Sequence, residues 1–215
     1  MKLFIQGFVF SAALAVCSSF AMASIIEGPI YDSISNVNLY VVSKGTWSEA
    51  EADAQALGGH LVTIHSAAEN QFIVDNVLLN FTGTGGPNLT NVPLWIGYHD
   101  PVNGDGNGGT HAANFVWADG STSTYTNWAS GEPNNALSAE YYAAINWHHS
   151  VSSSDPAGTW NDTPLAGSTG YGGNSNGTYY GIAAVPVPEP SSFALLGLGI
   201  AGFALRAYRR RQATI

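Results

Sequence analysis

Two helix-start signals, Thr46-x-x-Glu49 and Ser66-x-x-Glu69, lie near the front of this 215-residue chain, and past Asn80 the helix signals end. In each signal a hydroxyl can accept a first-turn N–H while the glutamate three residues on reaches back to the cap. The first predicts a helix over 46–57, stopped by Gly58-Gly59. The second predicts a helix from Ser66 to about Leu79, with Phe72, Ile73, Val77 and Leu78 on one face. The rest of the chain's middle reads as short strands between long loops rich in Gly, Asn, Ser and Thr. The expected strands are 38–43, 60–64, 94–98, 115–117, 143–147, 159–160 and 179–185, with residues 25–37 as a lead-in. Two early helices followed by short strands make an α+β domain. The loops exceed what folding requires, so function is expected there.

The ends read as processing segments. Lys2 opens a short basic region, 3–20 is mostly apolar, and Ala21-Met22-Ala23 has the small-x-small pattern of a signal peptidase site. Residues 1–23 are thus expected to be a signal peptide, with 24–36 the lead-in; the alternative is a buried N-terminal helix. At the other end Val187-Pro188-Glu189-Pro190 precedes 191–207, which is apolar, Gly-rich and uncharged before Arg206. That length is near the lower limit for a membrane span. Arg206, Arg209, Arg210 and Arg211 then form a positive-inside stop. Residues 187–215 resemble the PEP-CTERM sorting signal of Gram-negative envelope proteins. The resemblance implies a transmembrane stage, cleavage near the motif by an exosortase, and a destination in the cell envelope or outside the cell. A plain C-terminal anchor is the alternative.

Between these segments the charge is one-sided. All 15 acidic residues lie between Glu27 and Glu189, but of the six basic ones only Lys44 does, leaving the span near −14 (15 acidic against 1 basic). Such a surface repels nucleic acid and anionic membranes and favours divalent cations. The single cysteine, Cys17, falls in the signal segment, so the exported part has no disulfide in a compartment that permits one.

Three short pieces then carry the chemistry: Glu132-Pro133-Asn134, Glu140, and Trp160-Asn161-Asp162. They supply three carboxylates and two amide carbonyls, all hard oxygen donors. Ca²⁺ takes six to eight such oxygens at roughly 2.3–2.6 Å. A cis bond before Pro133 would aim its two neighbours the same way.

In order along the chain stand Gly58-Gly59-His60-Leu61-Val62-Thr63-Ile64, Ser66 to Asn70, Trp95-Ile96-Gly97, Phe115 to Gly120, Asn127-Trp128 and the three oxygen-bearing pieces. This series resembles the C-type lectin-like domain over 37–186. The resemblance implies that Glu132, Asn134, Glu140, Asn161 and Asp162 hold calcium. It implies too that Glu132, Asn134, Glu140 and Asn161 also touch a sugar bound through vicinal hydroxyls. Glu-Pro-Asn resembles members that take mannose, glucose and N-acetylglucosamine; the Gln-Pro-Asp galactose pattern is absent. Ala54, Tyr142 and Leu165 occupy the family's usual cysteine positions and are expected to pack in their place. Asn135 stands where an acidic ligand of an auxiliary calcium site is often found, which puts that site in doubt. The expected function is calcium-dependent carbohydrate binding, with exopolysaccharide as the partner by analogy alone. The alternative is a calcium-stabilised structural or adhesion module without sugar binding. No enzymatic function is expected, because carboxylates committed to a cation make poor general acids.

Two weaker signals remain. Asn103-x-Asp105-x-Asn107-Gly108 resembles the start of an EF-hand loop but has Asn114 at the twelfth position, and reads as a polar turn. His148-His149 reads as an incidental pair. No nucleophile elbow, phosphate loop or dinucleotide fingerprint appears.

Overall fold

The first capping box forms in full. In the computed structural model, which describes residues 23–79, 89, 92–102, 111–146, 156–168 and 178–188, Thr46 caps α1 (Trp47–Ala56). The Thr46 Oγ1 accepts from the Glu49 N–H at 3.2 Å, and Glu49 Oε2 accepts from the Thr46 N–H at 2.8 Å. Gly58, at φ 88°, carries the chain out of the helix in the left-handed region. The second box forms only by half. Ser66 Oγ accepts from the Glu69 N–H at 3.2 Å, but Glu69 Oε2 takes the N–H of His65 (2.7 Å) and its ring Nδ1 (2.9 Å) instead of the cap backbone. A histidine just before the cap offers two donors within reach of one side chain. The helix it opens, α2 (Ala67–Ile73), continues in a wider π turn over Val74–Leu78, burying Ile73, Val74, Val77 and Leu78.

Among the described residues eight strands form one sheet: β1 (Ile25–Asp32), β2 (Val37–Gly45), β3 (His60–Leu61), β4 (Leu94–His99), β5 (Val116–Trp117), β6 (Tyr142–Ile145), β7 (Trp160–Thr163) and β8 (Tyr179–Pro186). A four-residue helix, α3 (His111–Asn114), precedes β5. The order is β1-β2-β8-β4-β6-β7, with β3 on β8 and β5 on β4. Every pairing is antiparallel except β4 with β8. The fold is α+β as the sequence predicts, with two differences: α3 is a short helix where only loop was expected, and β1 forms where a lead-in was expected. The stretch read as a lead-in is β1, paired with β2 from Ile25↔Val42 to Asp32↔Val37. Gly28-Pro29 hides it, reading as a breaker. A proline is tolerated on an edge strand, and register shifts flank it here. Outside the described residues lie the signal segment before Ala23, the Asn103–Asn107 turn, His148-His149 and the stretch from Glu189 on. Among the described residues no helix is long and apolar enough to cross a membrane.

Two packed clusters make the core. One gathers Leu39, Ile64, Ile73, Leu94, Ile96, Trp117, Ile145, Trp160 and Ile182. The other sets α1 against the sheet through Trp47, Ala50, Ala54, Leu61, Trp95 and Tyr179. Buried indoles need a partner for their N–H. Trp47 donates to the Ile96 carbonyl (2.8 Å), Trp95 to the Gly45 carbonyl (2.9 Å) and Trp160 to Asn70 Oδ1 (2.9 Å). Of the residues at the family's cysteine positions, Ala54 is fully buried and Tyr142 packs against Trp47 in a tilted pair with centroids 5.2 Å apart. Leu165 departs from the expectation. Its side chain is 40% exposed, and its contribution is a carbonyl that accepts from the Trp47 N–H at 3.0 Å.

Gly97, third residue of the Trp-Ile-Gly strand, is required by packing. Its N–H donates to the Val62 carbonyl at 2.9 Å, and a Cβ there would stand 2.5 Å from the Leu61 carbonyl oxygen. Backbone must move to admit it. Gly97→Ala is expected to destabilise the domain by about 1–3 kcal/mol, read as a lower urea midpoint at unchanged m-value.

Candidate functional site

The long segment between β5 and β6 is laced to β7 by its backbone. The Trp160 N–H donates to the Asn127 carbonyl and the Ala129 N–H to the Trp160 carbonyl, both at 2.8 Å. Glu132 comes next, its N–H on the Ala129 carbonyl at 3.0 Å, and the Glu132–Pro133 bond is cis. Asp162 then grips the turn. Fully buried on β7 opposite Ala143, it accepts the Asn134 N–H at Oδ1 (3.1 Å) and the Asn135 N–H at Oδ2 (2.7 Å). Glu140 closes the loop from the other side, its Oε2 accepting the Ala136 N–H at 2.8 Å.

Asn135 holds these halves together. It sits in the left-handed region at φ 48°, ψ 49°, buried, and its Oδ1 accepts the Glu140 N–H at 3.1 Å. By sequence this residue stands out only as a missing calcium ligand. The signal for its real role is local: asparagine is among the few side chains that tolerate this backbone region.

The structure thus brings Glu132, the Asn134 backbone, Glu140 and Asp162 together, with Asn161 beside Asp162 on β7. The Asn134 side chain is on the exposed surface of the turn. Asn161 Nδ2 donates to the Asp162 carbonyl at 2.6 Å, which leaves its Oδ1 buried and without a partner. Glu132 Oε2 is buried and unpartnered too. Two orphaned oxygen acceptors in one ligand set are a costly arrangement unless something electropositive meets them.

The electrostatics agree. Burial pushes the Glu132 carboxyl up to about 8, helped by the charge of Asp162, a hydrogen bond shared with Asp162 and the charge of Glu140. Glu140 is pushed up to about 7, first by burial and then by Asp162, against the lowering effect of the Ala136 N–H. No Lys or Arg contributes to either shift. Lys44 places its ammonium 5.1 Å over the Tyr180 ring. Crowded carboxyls without a basic partner must take up either protons or a cation. Among the described residues no three His, Cys, Asp or Glu side chains form a metal cluster by themselves. The set is a mixed one, in which carboxylates need the amide oxygens to complete it, and an all-oxygen set is what Ca²⁺ takes.

These shifts fix the sign of a pH effect on the cation-free protein. Unfolded, both glutamates return to about 4.5, whereas folded they hold protons up to about 7 and about 8. Their contribution to stability is complete below pH 4.5 and is lost as pH rises through those two values. In EDTA, the thermal midpoint of wild type is expected to fall between pH 5 and 8 relative to that of Glu132→Gln/Glu140→Gln. Parallel pH profiles for the two proteins would contradict this assignment.

Comparison with known proteins places this geometry. Residues 43–166 match the Lectin C-type domain and residues 186–211 the PEP-CTERM protein-sorting motif. Ladderlectin of Oncorhynchus mykiss is 32% identical over 124 residues, covering 58% of this chain and 54% of that protein. The alpha-N-acetylgalactosamine-specific lectin of Patiria pectinifera is 31% identical over 132 residues, covering 59% of this chain and 66% of that one. The chain thus spans about half of the first relative and under two thirds of the second. The human scavenger receptor C-type lectin carbohydrate-recognition domain superposes with a TM-score of 0.50 at 21% identity, covering 74% of this chain and 98% of that domain, a likeness of fold. With the domain match spanning more than half its length, the chain belongs to the C-type lectin family.

Proposed function

We propose that this chain is a calcium-dependent carbohydrate-binding protein of the cell envelope or extracellular matrix. The observation that carries the reading is the pair of orphaned acceptors, Glu132 Oε2 and Asn161 Oδ1, in a ligand set with three acids and no base. Glu132, Asn134, Glu140, Asn161 and Asp162 are the residues that would hold Ca²⁺. Bound there, the ion supplies open coordination places for two vicinal hydroxyls of a sugar. The chain's own groups do the rest. Glu132 and Glu140 offer lone pairs to the sugar hydroxyls, and the amides of Asn134 and Asn161 offer N–H donors. Asp162 and Asn135 keep the turn in shape by their backbone hydrogen bonds. The Glu-Pro-Asn order favours mannose-, glucose- and N-acetylglucosamine-type sugars, although one relative is named for N-acetylgalactosamine. The sorting motif supports export and exosortase processing; exopolysaccharide as the partner is our reading by analogy alone.

Raised carboxyls also mark general acids. Here Glu140 is tied to the Ala136 N–H and Asp162 to two further N–H groups. Those bonds give the two carboxylates a part in holding the turn, and the match to the Lectin C-type domain favours binding over a glycosidase pair.

Calcium is expected to raise the thermal midpoint of the full chain by mass action, and Glu132→Gln/Glu140→Gln to abolish the rise. Mannose should compete for immobilised polysaccharide in calcium, and galactose should not. A calcium-stabilised protein indifferent to every sugar would favour the adhesion-module reading. A midpoint blind to calcium would overturn both.

A second expectation concerns the turn. Asn135→Ala removes the side-chain acceptor and the left-handed preference together. It should weaken calcium at least tenfold, measured by calcium titration of tryptophan fluorescence, and lower the urea midpoint in EDTA as well, because the buried Glu140 N–H loses its acceptor.

A further inference from the structure

The α1–β3 turn, the tip of the β1–β2 hairpin and the end of β8 enclose a cleft of about 180 Å³. Its lining shares no residue with the carboxylate site. The volume is below the roughly 300–1,000 Å³ of pockets for larger ligands and equals about six waters at ~30 Å³ each. It is room for one small ring.

The walls mix apolar and polar groups. Val37, Leu61 and Pro186 give hydrocarbon surface, while Ser35, His60 and Thr63 carry polar atoms. Thr63 is 7% exposed, and its Oγ1 has no hydrogen-bond partner. A buried hydroxyl left unmade costs on the order of 1–3 kcal/mol; the oxygen is shut off from solvent in this state, so a ligand meets it only as the Thr63 side chain turns toward the cleft it lines. His60 is prepared in a different way. Its Nδ1 lies 2.6 Å from Glu51 Oε1, and Glu51 Oε2 accepts the Leu61 N–H at 2.9 Å. A carboxylate so placed holds the imidazole by Nδ1 and leaves Nε2 as the ring atom available to a ligand. The neighbouring His65 is used up, with Glu69 on Nδ1 and Ser121 Oγ 3.2 Å from Nε2.

The cleft therefore offers an imidazole nitrogen, a threonine that can turn its hydroxyl inward, and an apolar floor. No Lys or Arg lines it, and Asp119 does, so an anion is disfavoured. Among the described residues no metal-holding trio of side chains occurs. A neutral ligand with hydroxyls and a C–H face meets these conditions, and a sugar residue has both. We infer that this cleft is a second saccharide subsite, independent of calcium, which makes a single domain bivalent for a polysaccharide. Linking two weak sites on one chain raises avidity without any new contact. The inference does not rest on the calcium site and can fail separately from it.

The test is NMR of the full chain with the His60 ring resonances as readout. The probes are methyl mannoside, methyl glucoside, methyl galactoside and N-acetylglucosamine, each titrated in calcium and in EDTA. At least one is expected to shift the His60 resonances in both conditions. Thr63→Val should weaken that binding tenfold or more at the His60 resonances, His60→Phe should do the same at the Leu61 and Ala184 amide resonances of the cleft, and Glu132→Gln should leave the binding seen in EDTA unchanged. Thr63→Val should also unfold no earlier than wild type, since it replaces an unsatisfied hydroxyl. His60 resonances unmoved by every saccharide in the calcium-loaded, folded protein would overturn the inference. So would Thr63→Val and His60→Phe proteins that bind as wild type does, which would assign the Thr63 hydroxyl to a trapped water.

Discussion

One buried carboxylate organises the candidate site. Asp162 spends both oxygens on consecutive backbone amides, those of Asn134 and Asn135. Because β7 fixes Asp162 against β6, the turn inherits the rigidity of the sheet. A carboxylate has about four lone-pair sites, so two N–H groups do not exhaust it, and it can still face an ion. The same side chain is thus a structural clamp and a charge in the site. Its neighbours feel that charge: Glu132 and Glu140 are both pushed up in part by Asp162. Folding has assembled a repulsive cluster of carboxyls around that clamp.

The parts of the fold set by local chemistry were legible. Thr46, Glu49 and Gly58 determine one helix almost alone, since cap, reciprocal acid and left-handed exit are close in sequence. Trp95-Ile96-Gly97 and the oxygen-bearing pieces were legible for another reason, as a pattern in fixed order. Features that escaped depend on distant partners. β1 became a strand because β2 offered an edge, despite Gly28-Pro29. Glu69 turned to His65, a competition between donors that spacing does not decide. Leu165 stayed outside because its backbone, not its side chain, is what α1 uses. The cleft was invisible as well, since it joins a hairpin tip, a helix exit and a strand end that only tertiary structure brings together.

Without disulfides the domain relies on a dense aromatic interior. Tyr98 stacks on Trp117 at 4.4 Å between centroids, and Trp160 meets Trp117, Tyr125 and Trp128 edge-on. Such pairs add about 0.5–1.5 kcal/mol each beyond area burial. Trp160 also belongs to the sheet that carries Asn161 and Asp162, so the packed core and the ion-seeking surface share a strand.

The placement of β8 has a consequence for how such a chain is made. This strand lies in the middle of the sheet, between β2 and β4, with β3 on it too, and it is the last of the eight along the chain. A polypeptide threaded through a membrane from its N-terminus presents seven strands before the one that joins them. Until then β2 lacks its inner partner, and α1 lacks the surface formed by Tyr179 and Ala183. Loop closure over most of the domain must precede the reward of those contacts, which is the condition for slow folding. The β1–β2 pair and the β4–β6–β7 group can each form without β8, but the two halves become one sheet only when that strand arrives.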